Sequence, residues 1–119
     1  MKPLFINYPK CSTCRKAAEW LRAHNIDVTS RHIAENRPTA EELSTWIDKS
    51  GLPIQRFFNT SGLVYKEKNL KDVVKTASRE QLIELLASNG MLVKRPLLIG
   101  DNFVLVGFKE DDWFKSLKI

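Results

Sequence analysis

The fold of this chain is indicated by the stretch Pro9-Lys10-Cys11-Ser12-Thr13-Cys14-Arg15-Lys16. The apolar run Leu4-Phe5-Ile6 comes before it and predicts a short buried strand. An amphipathic pattern begins at Ser12 and predicts a helix whose apolar face carries Ala17, Ala18, Trp20 and Leu21. The Cys-x-x-Cys motif is therefore expected at a strand-to-helix turn, with Cys11 near the N-cap and Cys14 near the end of the first turn.

This placement predicts redox chemistry at Cys11. The free N–H groups at a helix N-terminus stabilise a thiolate, and thiols in such positions reach pKa values of roughly 3.5–7.5. Lys10, Arg15 and Lys16 add positive charge nearby, which favours the thiolate as well. The i, i+3 spacing lets the second sulfur reach the first. We therefore expect Cys11 to attack and Cys14 to resolve the mixed disulfide that forms.

Two other interpretations of the cysteine pair remain open. The cysteines could be inert buried side chains that happen to lie three residues apart. They could also form half of a zinc site, but zinc needs four ligands. His24 and His32 would have to supply the missing ligands, and their spacing does not resemble that of a zinc finger. We expect both histidines to be surface or packing residues, and we expect no metal.

The remaining sequence predicts one α/β domain over residues 1–119. A second strand is expected between Val28 and Ile33. Capping boxes and stop signals predict two longer helices, and two shorter ones lie between them. The longer helices begin at the capping boxes Thr39 with Glu42 and Ser78 with Gln81, and they end at Gly51 and at Asn89-Gly90. The shorter helices are expected over Ile54–Phe58 and Leu70–Val74, and Asn59–Gly62 is expected to be a loop.

Near the C-terminal end, a hairpin is expected. Leu97-Leu98-Ile99 and Phe103-Val104-Leu105-Val106 flank the turn Gly100-Asp101-Asn102, and a last helix is expected over Glu110–Leu117. The first two strands should be parallel, because a helix connects them, and the hairpin adds antiparallel strands. We therefore expect a mixed sheet of four strands with a helical insert at about residues 38–90.

The dipeptide Arg95-Pro96 opens the first hairpin strand. Pro96 is a candidate for a cis peptide bond, although most X–Pro bonds in folded proteins are trans. Arg95 could be a solvated charge, or it could hold an anion beside the thiolate. The sequence alone leaves both choices open.

Composition and charge narrow the function classes. The chain has 119 residues, of which 43% are hydrophobic and 28% charged, and a formal net charge of +5, too small to indicate direct nucleic-acid binding. No apolar run reaches the roughly 18–20 residues of a membrane span, and the start is too short and polar for a signal peptide. We therefore expect a cytoplasmic protein.

Four lysines recur on or beside the second short helix: Lys66, Lys68, Lys71 and Lys75. We expect them to lie on a solvent-exposed face, and docking of an acidic partner is the alternative.

The motif, the late Arg-Pro and the length together resemble the arsenate reductase/Spx family of thioredoxin-like proteins. This resemblance implies a thioredoxin-like mixed four-stranded sheet. In the reductases of this family, a helix-terminal thiolate attacks arsenate, arginines hold the oxyanion, and glutathione with glutaredoxin supplies electrons. Spx-type regulators instead use a Cys-x-x-Cys disulfide as a switch and dock on the C-terminal domain of the RNA polymerase α subunit.

The resemblance assigns roles to particular residues. Cys11 corresponds to the nucleophile of both branches, and Arg95 and Pro96 correspond to the arginine and the cis proline. Ser12, Thr13 and Arg15 belong to the turn that would bind substrate or oxyanion. Cys14 matches the second cysteine of the Spx switch, and Gly51 lies where Spx uses a glycine for polymerase contact.

This chain departs from the reductase branch at two arginine positions. Asn59 stands in the region of one, with Arg56 nearby, and Val106-Gly107-Phe108 in the region of the other. A single arginine stabilises an oxyanion less well than three. We therefore expect either an oxidoreductase without a bound cofactor, reduced by glutathione, glutaredoxin or thioredoxin, or a redox sensor that docks on RNA polymerase.

Overall fold

Four short strands form one mixed sheet in the computed structural model, which describes residues 2–119. The order across the sheet is β2-β1-β3-β4, where the strands are β1 (Leu4–Asn7), β2 (Thr29–His32), β3 (Leu97–Ile99) and β4 (Val104–Val106). β1 pairs in parallel with β2 and antiparallel with β3, and β3 and β4 form the hairpin. The expected mixed four-stranded sheet is confirmed.

Six helices accompany the sheet in the described part of the chain. They are α1 (Ser12–Ala23), α2 (Ala40–Ser50), α3 (Leu63–Glu67), α4 (Leu70–Thr76), α5 (Arg79–Ser88) and α6 (Glu110–Leu117). Single 3₁₀ turns cover Ile54–Phe57 and Gly90–Leu92. The segment expected as a short helix over Ile54–Phe58 is thus a 3₁₀ turn, and α3 was not expected from the sequence. α2 to α5 form the helical insert between β2 and β3.

The two longest helices of the insert begin where their sequences predict. Thr39 Oγ1 accepts the Glu42 N–H at 3.1 Å, and a Glu42 carboxylate oxygen accepts the Thr39 N–H at 3.0 Å. Ser78 and Gln81 make the same reciprocal pair at the start of α5. α2 ends at Gly51, whose φ of +69° is a backbone conformation that glycine adopts without steric cost.

Both faces of the sheet are covered, because successive strand residues point to opposite sides. Ile6 and Leu97 face the larger core, which the helical insert completes, whereas Phe5 and Leu98 face a smaller core under α1 and α6. All three tryptophans are buried: Trp20, Trp46 and Trp113. No helix within residues 2–119 is long and apolar enough to cross a membrane.

The insert is tied to the chain segment that leads into β3. Phe58 and Val93 form an isolated antiparallel bridge, the Asn59 N–H donates to the Leu92 carbonyl at 2.8 Å, and the Lys94 N–H donates to the Phe57 carbonyl at 2.7 Å. These bonds fix the backbone immediately before Arg95. The fold therefore positions Arg95 from both sides, by the insert before it and by the sheet after it.

Candidate functional site

Cys11 is the N-cap residue of α1, as its position in the sequence predicts. Its backbone is extended, with φ −91° and ψ 119°, and its Sγ accepts the backbone N–H of Cys14 at 3.4 Å. The Cys11 N–H donates to the Tyr8 carbonyl at 3.0 Å, which closes the turn after β1. The Cys11 side chain is half-buried, so its sulfur lies at the surface end of the helix.

The pKa of the Cys11 thiol lies below its ordinary value of 9.0. Partial burial raises this pKa, but hydrogen bonds from the Cys14 side chain and backbone outweigh burial, together with a hydrogen bond and the positive charge from Arg95. The charge thus comes from Arg95, whereas Lys10, Arg15 and Lys16 are exposed. Cys11 therefore has the thiolate character that a nucleophile needs.

Cys14 has the opposite environment. It is only 2% exposed, and its pKa is raised to about 12, first by burial and then by the neighbouring Cys11. Both cysteines are free in this structure. One thiol is thus accessible and activated, and the other is buried and protonated at neutral pH, directly behind it.

Arg95 precedes Pro96 at the entry to β3, and the Arg95–Pro96 peptide bond is cis. The Arg95 guanidinium carbon lies 5.2 Å from the centroid of the Tyr8 ring. Its Nε and Nη1 are buried and have no hydrogen-bond partner among residues 2–119. Buried N–H donors without an acceptor are costly, so this guanidinium is suited to receive an oxygen ligand.

The structure brings Cys11, Cys14 and Arg95 together, and it places the other predicted residues around them. Ser12, Thr13 and Arg15 form the exposed first turn of α1. Their part in binding substrate stays a prediction. Pro96 is fully buried.

Tyr8 is a site residue that the sequence analysis missed. Its ring contacts the Arg95 guanidinium, its carbonyl accepts the Cys11 N–H, and a backbone hydrogen bond connects it to Cys14. In the sequence it is only an aromatic residue between a strand and Pro9. No periodic pattern marks it, because its role depends on contacts across the sheet.

The two histidines are packing residues, as expected. His24 stacks on Trp20 with ring centroids 4.2 Å apart, and His32 meets the Tyr8 ring edge-on at 5.5 Å. Within the described residues, no three His, Cys, Asp or Glu side chains lie close enough to hold a metal ion.

The positions at which the reductase branch has further arginines contain no buried cation. Asn59 is half-buried, and Arg56 lies exposed on the 3₁₀ turn before it. The Gly107 N–H donates to the Pro96 carbonyl at 2.8 Å. Arg95 is therefore the cation that acts on Cys11 in this structure.

Comparison with known proteins identifies relatives over nearly the whole length. A crystal structure of an ArsC-family-related protein from Bacteroides fragilis is 56% identical, with a TM-score of 0.94, and the match covers 97% of each chain. A possible arsenate reductase from Streptococcus mutans is 38% identical with a TM-score of 0.88, covering 98% of each chain. The regulatory protein MgsR of Bacillus subtilis is 30% identical over 96% of this chain and 89% of MgsR.

These relatives include both a protein described as a reductase and one described as a regulator. Their folds agree with the thioredoxin-like mixed sheet that the family resemblance implies. The sequence model of the ArsC family matches residues 6–116, which include the whole candidate site. The chain therefore belongs to the ArsC family.

Proposed function

We propose that this chain is a thiol–disulfide oxidoreductase of the arsenate reductase type, in which Cys11 attacks and Cys14 resolves. One observation carries the proposal: two thiols lie one helical turn apart, the outer with a lowered pKa and the inner with a pKa raised to about 12. Near neutral pH the outer sulfur is the stronger nucleophile. The inner sulfur stays protonated until its neighbour has reacted.

With a mixed disulfide as substrate, the reaction consists of two exchanges. The Cys11 thiolate attacks one substrate sulfur, a bond forms between the two sulfurs, and the other substrate sulfur leaves as a thiolate. Cys14 then loses its proton and attacks the Cys11 sulfur, which releases the second substrate thiolate. The protein dithiol is oxidised to a disulfide by two electrons, and the substrate disulfide is reduced by the same two electrons.

With an oxyanion such as arsenate, the same two sulfurs suffice. The Cys11 sulfur bonds to arsenic(V), and a protonated arsenate oxygen leaves as water. Attack by Cys14 on the Cys11 sulfur then breaks the sulfur–arsenic bond, and its electron pair remains on arsenic as arsenite. The free N–H donors of Arg95 are suited to hold an oxygen of this substrate and the charge that develops on it.

The cycle is completed by an external thiol. Two glutathione molecules, or the dithiol of glutaredoxin or thioredoxin, would reduce the Cys11–Cys14 disulfide and be oxidised in turn. Such a cycle requires a reducing compartment, so the proposal includes a cytoplasmic location. No bound cofactor enters either step.

The proposal is tested by turnover with glutathione and glutaredoxin, offering arsenate and a glutathionylated peptide in separate assays. We expect activity on at least one substrate, loss of it in Cys11→Ser, and accumulation of a mixed disulfide on Cys11 in Cys14→Ser. Glu19→Gln, at an exposed position of α1 outside the predicted site, is the control for a change in the same helix. Equal rates for the wild type and Cys11→Ser on both substrates would exclude an enzymatic role.

A redox-sensing regulator is the second candidate, favoured by the likeness to MgsR. Gly51 is exposed, and no atom lies within 4 Å of the position that a Cβ would take, so a partner backbone could approach closely there. The partner proposed is the C-terminal domain of the RNA polymerase α subunit. A pull-down with this domain, using oxidised and reduced protein, tests the idea. Retention in neither state would reject it.

A further inference from the structure

Within residues 2–119, no carboxylate pairs with the Arg95 guanidinium. Arg31 pairs with Glu42 at 2.7 Å and Arg79 with Asp48 at 2.8 Å, and Arg95 takes part in neither ion pair. Two of its nitrogen atoms, Nε and Nη1, are buried and make no hydrogen bond within residues 2–119. Apart from Cys11, with which it forms a hydrogen bond, this partly buried cation is therefore held by a group other than a carboxylate.

The Tyr8 ring is the group that lies against it. The guanidinium carbon is 5.2 Å from the ring centroid, within the range in which an aromatic face attracts a cation. A ring face differs from a carboxylate in one important respect. A carboxylate would accept N–H bonds and neutralise the arginine, whereas a ring attracts the cation and leaves the in-plane N–H donors free.

The Tyr8 ring is itself fixed in place. His32 meets it edge-on, with centroids 5.5 Å apart and an interplanar angle of 83°. The His32 ring is oriented in turn by the backbone N–H groups of Ala34 and Glu35, which lie 3.1 and 3.0 Å from Nδ1. The Tyr8 ring also packs against the larger core. A chain of contacts thus leads from β2 to the Arg95 guanidinium.

Tyr8 also takes part in the turn that carries the nucleophile. Its carbonyl accepts the Cys11 N–H at 3.0 Å, so the ring and the sulfur belong to one short, closed segment of backbone. The same residue thereby sets the position of Arg95 relative to Cys11. This relation depends on the ring, because the carbonyl is present whatever the side chain.

We propose that Tyr8 is a positioning residue, whose ring face holds the Arg95 guanidinium beside Cys11 while Nε and Nη1 of Arg95 stay free for an oxygen of the substrate. The inference rests on the proposed function and adds to it the residue that sets the geometry. It assigns the effect to the aromatic face and none to the phenol hydroxyl. A phenylalanine at position 8 should therefore preserve the positioning of Arg95, whereas an aliphatic residue should not.

The experiment measures the rate of Cys11 alkylation by iodoacetamide against pH, with and without sulfate as an oxyanion probe, and locates the label by mass spectrometry. We expect Tyr8→Phe to match the wild type. We expect Tyr8→Leu to raise the apparent pKa of Cys11 and to weaken protection by sulfate roughly two- to fivefold. Tyr8→Met serves as a second aliphatic variant if Tyr8→Leu does not fold, and Tyr65→Leu is the control for loss of a tyrosine ring elsewhere.

The outcomes separate this inference from the proposed function. If wild-type Cys11 titrates as an ordinary thiol, the proposed function fails. If wild-type Cys11 has a lowered pKa that Arg95→Gln raises but Tyr8→Leu and Tyr8→Met leave unchanged, the role of Tyr8 is refuted and the proposed function stands. Equal effects of Tyr8→Phe and Tyr8→Leu would also overturn it, because the ring face would then not be the active group.

Discussion

Cys11 Sγ accepts the backbone N–H of Cys14 at 3.4 Å, and yet the pKa values of the two thiols move in opposite directions. The outer thiol gains hydrogen bonds and the charge of Arg95, whereas the inner thiol loses contact with water. This asymmetry is a property of the folded chain alone, because an unfolded chain would give both thiols about the same pKa.

Stability of the reduced protein should therefore depend on pH in two stages. Cys11 binds its proton less tightly when folded, so stability rises with pH from the folded pKa of Cys11 towards its ordinary value of 9.0. Cys14 keeps its proton up to about pH 12 when folded, so stability falls from about pH 9 upward. Each slope is limited to about 1.4 kcal/mol per pH unit. Urea unfolding under reducing conditions, repeated across this pH range, measures the free energy of unfolding in both stages.

The two stages can be separated by variants. Cys11→Ser should flatten the rising part, and Cys14→Ala should flatten the falling part relative to the wild type at the same pH. Comparison with the wild type at each pH isolates the contribution of the replaced cysteine. A rising part that persists in Cys11→Ser would contradict the lowered pKa of Cys11.

Replacing Arg95 should raise the pKa of Cys11. Arg95→Gln removes both the positive charge and the charged hydrogen bond at this sulfur. We expect slower alkylation of Cys11 at pH 6–7, by roughly three- to tenfold, since a shift of one pKa unit changes the thiolate fraction about tenfold. Arg15→Gln removes an equal charge from the exposed first turn of α1 and should change the rate much less. Equal effects of the two variants would mean that only the net charge matters.

The ion pair between Arg31 and Glu42 should stabilise the fold at neutral pH. Two hydrogen bonds of 2.7 and 2.8 Å connect these side chains and join β2 to the first turn of α2. Arg31 lowers the pKa of Glu42 from 4.5 to about 2, so this stability is complete above pH 4.5 and is lost as the pH falls towards 2. Glu42→Gln should cost on the order of 1–2 kcal/mol at pH 7, because the pair is partly screened by solvent.

The control for that variant is Glu41→Gln, one residue earlier in the same helical turn and exposed. It should change the free energy of unfolding by less than about 0.5 kcal/mol. The acid-induced loss of stability should shrink in Glu42→Gln and persist in Glu41→Gln. A similar loss in both variants would show that Glu42 contributes only through the helix dipole.

Gly90 should tolerate no side chain. A Cβ there would collide with the carbonyl oxygen of Ile33, the residue that follows directly on β2. Gly90→Ala should lower the free energy of unfolding by about 1–3 kcal/mol, as overpacking of a core typically does. Gly51→Asn is the control, since that position is open and asparagine accepts its left-handed backbone. Thermal unfolding of both variants makes the comparison, and an unaffected Gly90→Ala would show that the insert can shift.

Most of the fold could be predicted because its signals are local. The capping boxes at Thr39 and Ser78 and the turn at Gly100 each lie within four residues of sequence, and the elements begin and end where these motifs predict. α3 was not predicted, because Leu63–Glu67 has no side-chain cap and buries no residue, so no periodic pattern marks the helix. Its formation depends on its neighbours rather than on its own sequence.

The candidate site was predictable only in part. The position of Cys11 at the helix N-terminus follows from the motif, because strand, turn and helix are all encoded nearby. The motif does not indicate which cation lowers the pKa of Cys11, because Arg95 approaches Cys11 only through the pairing of β1 with β3. The contact of Tyr8 with Arg95 has the same long-range origin and no signal in the sequence.

The burial of Cys14 also sets how far oxidants can take this protein. A peroxide that reaches Cys11 converts it first to a sulfenic acid, which condenses with a neighbouring thiol faster than it meets a second peroxide when that thiol is already in place. Cys14 is buried next to Cys11, and its burial protects its own thiol from direct reaction with peroxide. Oxidative damage should therefore stop at the reversible disulfide, before the sulfinic stage from which the sulfur would not recover.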